Sequence, residues 1–177
     1  MKNCLIIAIP RSGSSNLLSS ISSAYKLKSV FEPFTNHTNI YPSYYINSVC
    51  KVIVYRLPYK KLINFSKNFD KIILLSRKNT LEAAESMTAM RHDLNSNSKT
   101  VWNEVSDKHK NLIPVYFDKM IEWKDIIESL SNDLKLKIDY YEDLFSNNSL
   151  IDKDIKLDLD YFDPGRKLRG KKGSILI

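Results

Sequence analysis

The segment Asn3-Cys4-Leu5-Ile6-Ile7-Ala8-Ile9 constrains this chain more than any other. After Asn3 it is continuously apolar, with no polar alternation. Such a run suits a strand covered on both faces, as in a parallel sheet between helices. It passes directly into Pro10-Arg11-Ser12-Gly13-Ser14-Ser15-Asn16. Leu17, Leu18, Ile21, Ala24 and Tyr25 then recur at helical spacing, which predicts a helix over Ser14–Tyr25. Strand, short polar loop and helix in succession form the first half of a βαβ unit.

The alternation continues. Further strands are predicted at Lys28–Phe34, Lys51–Leu57, Lys71–Arg77 and Lys135–Tyr141. Helices are predicted over Tyr59–Phe69, from Asn79 or Thr80 through Met90, and over Pro114–Leu134. The last carries an apolar stripe of Tyr116, Met120, Trp123, Ile127, Leu130 and Leu134. Asn79 or Thr80 suits an N-cap, with Glu82 in the first turn. His92–Thr100 is polar and reads as a loop. The pattern predicts an α/β fold with a central, mainly parallel sheet of about five strands.

A length of 177 residues predicts a single domain over 1–177. Hydrophobic residues at 43% against charged residues at 27% exclude a disordered chain. No apolar run approaches the ~20 residues of a membrane span. The N-terminal apolar run is too short for a signal peptide and meets Pro10-Arg11 at once. Cys4 and Cys50 fall in strand segments without metal-site spacing and read as reduced core thiols. A cytoplasmic location is expected.

The formal charge of +7 favours anionic partners. Part of it lies at the end of the chain. Ser146–Asp163 is acidic, whereas Pro164–Ile177 carries Arg166, Lys167, Arg169, Lys171 and Lys172 and three of the four glycines. Glycine and positive charge together suit either a backbone loop closing on an anion or a flexible basic tail.

The loop after the first strand is the strongest functional signal. Amides at the helix start, with the hydroxyls of Ser12, Ser14 and Ser15, suit a phosphate, and Arg11 can add a charge-assisted contact. Gly-x-x-x-x-Gly-Lys-Ser/Thr and Gly-x-Gly-x-x-Gly are both absent. An ordinary β–α turn with a serine cap is the alternative. The second signal is Arg77 at a strand end with Ser86 on the following helix, suited to a second phosphate or simply solvated.

These segments together resemble the sulfotransferases that use 3′-phosphoadenosine 5′-phosphosulfate (PAPS). Pro10-Arg11-Ser12-Gly13-Ser14-Ser15 is similar to their 5′-phosphosulfate loop, and Lys71–Arg77 through Ser86 to their 3′-phosphate segment. Val30-Phe31-Glu32-Pro33-Phe34 resembles the Glu-Pro segment of carbohydrate-type members. Tyr140-Tyr141-Glu142-Asp143-Leu144 resembles the run that ends a later core strand. The resemblance spans residues 3–145. It implies a three-layer P-loop-like fold and sulfuryl transfer from PAPS to a hydroxyl or amine of a carbohydrate or other small acceptor, leaving PAP and needing no metal.

By this resemblance Arg11 stabilises the leaving 5′-phosphate, and Ser12, Gly13, Ser14, Ser15 and Asn16 hold it. Arg77 and Ser86 grip the 3′-phosphate. Glu32 is the general base, with His37 as a substitute; a solvated carboxylate before Pro33 is the alternative. In Tyr55-Arg56-Leu57-Pro58, Arg56 stands where cytosolic members carry a histidine base, which strengthens Glu32 and leaves Arg56 to contact an anionic acceptor or the sulfuryl oxygens, or to stand as a surface arginine. Arg166, Lys167 and Arg169 lie in a stretch similar to the C-terminal loop that covers the nucleotide in those members. Tyr41, Tyr44 and Tyr45 suit either an acceptor site or a core. Trp102 lies near the polar loop, and the three histidines read as solvated. The competing functions are a non-enzymatic module binding a polyanion, with nucleic acid the less favoured partner, and another P-loop-like transferase such as a small kinase.

Overall fold

A computed structural model describes residues 3–34, 45–93 and 105–144, together with strands at 152–155, 168–171 and 174–176. Five parallel strands form the main sheet: β1 (Asn3–Ala8), β2 (Lys28–Phe31), β3 (Ser48–Ile53), β4 (Lys71–Ser76) and β5 (Ile138–Tyr140). Their spatial order is β2-β3-β1-β4-β5, so the apolar run identified first lies at the centre. The helices are α1 (Ser14–Tyr25), α2 (Tyr59–Ser66), α3 (Thr80–Thr88), α4 (Ile113–Leu134) and the single turn α5 (Tyr141–Leu144).

Strand alternation sorts the core into two clusters. Leu5, Ile7, Ile9, Cys50, Val52 and Leu74 face α2, α3 and α4 and meet Leu62, Ala83, Met87, Met120, Ile127 and Leu130. Cys4, Ile6, Ala8, Val49, Ile53, Ile73 and Leu75 face the other way and meet Leu17, Leu18, Ile21, Tyr141 and Leu144 of α1 and α5. The result is three layers around a parallel sheet, in general agreement with a P-loop-like architecture. Cys4 and Cys50 are buried free thiols whose pKa is raised, chiefly by burial. Tyr45 is core, with its ring against Phe65 and Phe69. Trp123 packs on the core edge against Tyr55, at 4.9 Å between ring centroids.

Element ends depart from the sequence reading where a partner strand runs out. β3 pairs with β1 as far as Ile53 opposite Ala8, and then turns into a 3-10 turn, Val54–Arg56, instead of extending to Leu57. β2 stops at Phe31, opposite Lys51. β5 pairs with β4 over three residues and begins only at Ile138, because α4 runs to Leu134 and Lys135 closes it in the left-handed conformation. α3 ends at Thr88 and continues as a π-helical turn, Ala89–Asp93, so His92 is helical and not in a loop. Asn79 is the cap of α3, accepting from the Glu82 amide at 3.1 Å.

Three short strands are described within the acidic and basic segments near the end of the chain. β6 (Asp152–Ile155), β7 (Leu168–Lys171) and β8 (Ser174–Leu176) form an antiparallel sheet. Its register sets Asp152 opposite Lys171 and Asp154 opposite Arg169. Among the described residues no helix is long and apolar enough to cross a membrane.

Candidate functional site

The connection leaving β1 passes to α1 on one face of the sheet, and the connection leaving β4 passes to α3 on the other. Neighbouring strands with diverging connections open a crevice beyond their carboxyl ends, where open α/β sheets bind ligands. The two strongest sequence signals meet there. Arg11 Nε donates to Ser86 Oγ at 2.8 Å, and Arg77 Nη1 donates to the Arg11 carbonyl at 3.0 Å.

The loop is held in an uncommon backbone shape. Arg11 has φ 61° and Gly13, the N-cap of α1, has φ 73°. Glycine adopts this left-handed region freely, whereas for arginine it costs about 1 kcal/mol. Ser12 is fully buried, and its Oγ donates to the Ile9 carbonyl at 2.7 Å. Its hydroxyl therefore fastens the loop and is not a spare phosphate donor. The first intrahelical bond of α1 runs from Leu17 to Gly13, so the amides of Ser14, Ser15 and Asn16 precede it. A helix start of this kind is positive and suits an anion. Burial, and next the nearby Arg77, lower the Arg11 pKa below its ordinary value. An anion beside Arg11 would relieve that penalty.

Arg77 is 7% exposed and tied in several directions. It pairs with Glu82, lies 3.7 Å by Nε from Glu142, and stacks over Tyr141 at 4.8 Å from the ring centroid. Glu142 in turn accepts from the Lys78 and Asn79 amides at 2.8 and 3.0 Å, fixing the turn after β4. Arg77 thus braces the Arg11 loop, a role the sequence reading did not give it. A phosphate at Arg77 would share it with two carboxylates.

A second cluster surrounds Glu32, at the carboxyl end of β2. Glu32 has φ 41°, and its amide donates to the Lys51 carbonyl at 3.0 Å. Its carboxylate meets Lys51 Nζ at 3.0 Å and Arg56 Nη2 at 3.4 Å. Lys51 is 2% exposed, in the α1-facing row of β3 between Val49 and Ile53. Its ammonium also donates to Ser15 Oγ at 3.1 Å and lies 3.6 Å from the Phe31 ring centroid. Burial lowers its pKa, Glu32 opposes the shift, and Arg11 and Arg56 add to it. The charges of both clusters therefore act on one another.

Lys51 is the residue the sequence reading missed. The available signal was a lone lysine inside the apolar run Val49–Val54. Read as the first residue of a strand it looks like a boundary, but the strand begins at Ser48.

Two buried guanidinium Nε–H groups, of Arg56 and Arg77, have no hydrogen-bond acceptor among the described residues. Buried donors usually find a partner, so these suit an oxyanion or water. His37, Arg166 and Lys167, with Tyr41, Tyr44 and Trp102, lie outside the described residues, and Arg169 is placed by its strand alone. His109 is clamped rather than solvated: its Nδ1 lies 2.6 Å from Asp93 Oδ1 and 3.2 Å from Ser106 Oγ. Among the described residues no three His, Cys, Asp or Glu side chains are grouped to hold a metal ion. No protein-family model matches this chain, and no curated protein matches it.

Proposed function

We infer that this protein is a PAPS-dependent sulfotransferase acting on a hydroxyl or amine of a carbohydrate or other small acceptor. The observation that carries the reading is the meeting of Arg11, Ser86 and the α1 start with Glu32 at one edge of the sheet. These are the residues that the resemblance assigns to nucleotide binding and proton removal, and they come from four separate elements. The buried free thiols of Cys4 and Cys50 support a reducing compartment such as the cytoplasm.

The chemistry asks for an anion site, a base and in-line positioning. PAPS supplies the sulfuryl group, and PAP departs with the bridging oxygen. The amides of Ser14, Ser15 and Asn16 and the Arg11 guanidinium offset charge on the departing 5′-phosphate. The Glu32 carboxylate takes the acceptor's proton. Arg77 holds the Arg11 carbonyl and offers its Nε–H to the 3′-phosphate, next to Ser86. Arg56, half-buried beside Glu32, orients an anionic acceptor or the sulfuryl oxygens.

Calorimetric titration with PAP, PAPS and ATP tests this. PAP and PAPS are expected to bind and to raise Tm, and ATP is not. Arg11→Ala is expected to abolish the response to PAP, and Glu32→Gln to lose turnover while retaining nucleotide. No response to PAP, with steeply salt-dependent binding to a polyanion, would replace the reading with a binding module.

A further inference from the structure

Lys51 is the most deeply buried amine of the described site, and its position is unlike that of a stray surface lysine. Its carbonyl accepts the Glu32 amide, its ammonium meets the Glu32 carboxylate, and the same ammonium reaches Ser15 on the first turn of α1. An ammonium has three N–H donors. One goes to Glu32, one to Ser15, and the third is left to the Phe31 ring, a weaker partner.

The Ser15 hydroxyl is an acceptor for Lys51, so its own hydrogen is available to an anion at the helix start. Each oxygen of the Glu32 carboxylate faces one cation, Oε1 Lys51 and Oε2 Arg56. An acceptor hydroxyl approaching that carboxylate meets both cations. Burial disfavours the ammonium, and Glu32 compensates for it; a second anion nearby can take over that compensation.

We propose that Lys51 is a cation shared between Glu32 and the sulfuryl oxygens of bound PAPS, so that nucleotide binding draws it off Glu32 and frees that carboxylate to act as base. The assignment rests on the sulfotransferase reading. It adds a sulfuryl ligand, Lys51, and a reason why the base engages only once the donor is in place. No covalent bond changes in this step; the ammonium exchanges one hydrogen-bond acceptor for another.

The consequence is competition. Glu32 and PAPS contend for one ammonium, so removing the carboxylate strengthens nucleotide binding. Glu32→Gln is expected to bind PAPS about tenfold more tightly than wild type, a typical size for coupling between neighbouring sites. In Lys51→Met combined with Glu32→Gln, the gain relative to Lys51→Met alone is expected to vanish. Plain relief of charge repulsion by Glu32→Gln would persist without Lys51. The readout is the dissociation constant of PAPS by calorimetry, with circular dichroism to check that each variant is folded. Where Lys51→Met fails to fold, Lys51→Arg keeps the cation, and the Glu32→Gln gain is expected to survive in it.

Wild-type protein that binds neither PAP nor PAPS overturns the sulfotransferase reading and this assignment with it. Wild-type protein that binds PAPS overturns the Lys51 assignment alone under any of three results: no gain in Glu32→Gln, a gain undiminished in the Lys51→Met background, or a gain lost in Lys51→Arg.

Discussion

Arg11 Nε and Ser86 Oγ are 2.8 Å apart, although 75 positions separate the two residues in the chain. The bond joins the loop after β1 to the second turn of α3, and with it two layers of the fold. A charge-assisted bond of this kind contributes about 1.5–3 kcal/mol. Ser86→Ala is therefore expected to lower stability by about that amount and to weaken PAP binding without abolishing it. Urea unfolding and calorimetry measure the two effects; unchanged values in both would remove Ser86 from the site.

Gly13 matters through its backbone. At φ 73° any residue with a Cβ is strained, so Gly13→Ala is expected to cost about 1–2 kcal/mol. For a chain of this size the drop in Tm is roughly 2–8 °C. Asparagine tolerates the left-handed region better, so Gly13→Asn should fall between alanine and wild type. A thermal melt that ranks alanine above asparagine would contradict this.

Arg77 addresses the Arg11 carbonyl, Glu82 and Glu142 from one planar fork. A lysine keeps the charge but cannot span these directions. Arg77→Lys is expected to lower stability by about 2 kcal/mol, since it leaves buried groups unpaired. A urea midpoint equal to that of wild type would show that the fork geometry is dispensable.

Asp93 forms a clamp with Ser106 and His109, and hydrogen bonds from Ser106, with His109 adding to them, pull its pKa from 3.8 to about 2. The folded protein thus binds this proton less readily than the unfolded chain. The clamp contributes fully above pH 3.8 and is lost as pH falls toward about 2. The difference in urea midpoint between wild type and Asp93→Asn should therefore be largest near neutral pH and shrink across that window. A difference independent of pH would contradict the assignment.

The layers of the fold were legible because their cause is local. Ile6 and Ile7 point to opposite faces of β1, yet both are buried, as a run without alternation requires. The cap of α3 was legible for the same reason as far as Asn79 or Thr80, and it is Asn79. Strand ends were less legible: β3 stops at Ile53 because β1 has ended, which is a property of the neighbour. The site divides in the same way. Arg11–Asn16 announce themselves by sitting between a strand and a helix. The bracing of Arg77 by Glu142, and the place of Lys51 against Ser15 and Glu32, depend on which strands become neighbours, and no local window contains that.

The diverging exits from β1 and β4 also bear on how this molecule could change over generations. Arg11 and Glu32 stand beyond the strand ends, while the apolar contacts lie along the strands in two separate clusters. Substitutions that retune what the loops grasp need not disturb how the sheet is covered. New ligands can therefore be explored at the rim while the scaffold beneath stays as it is.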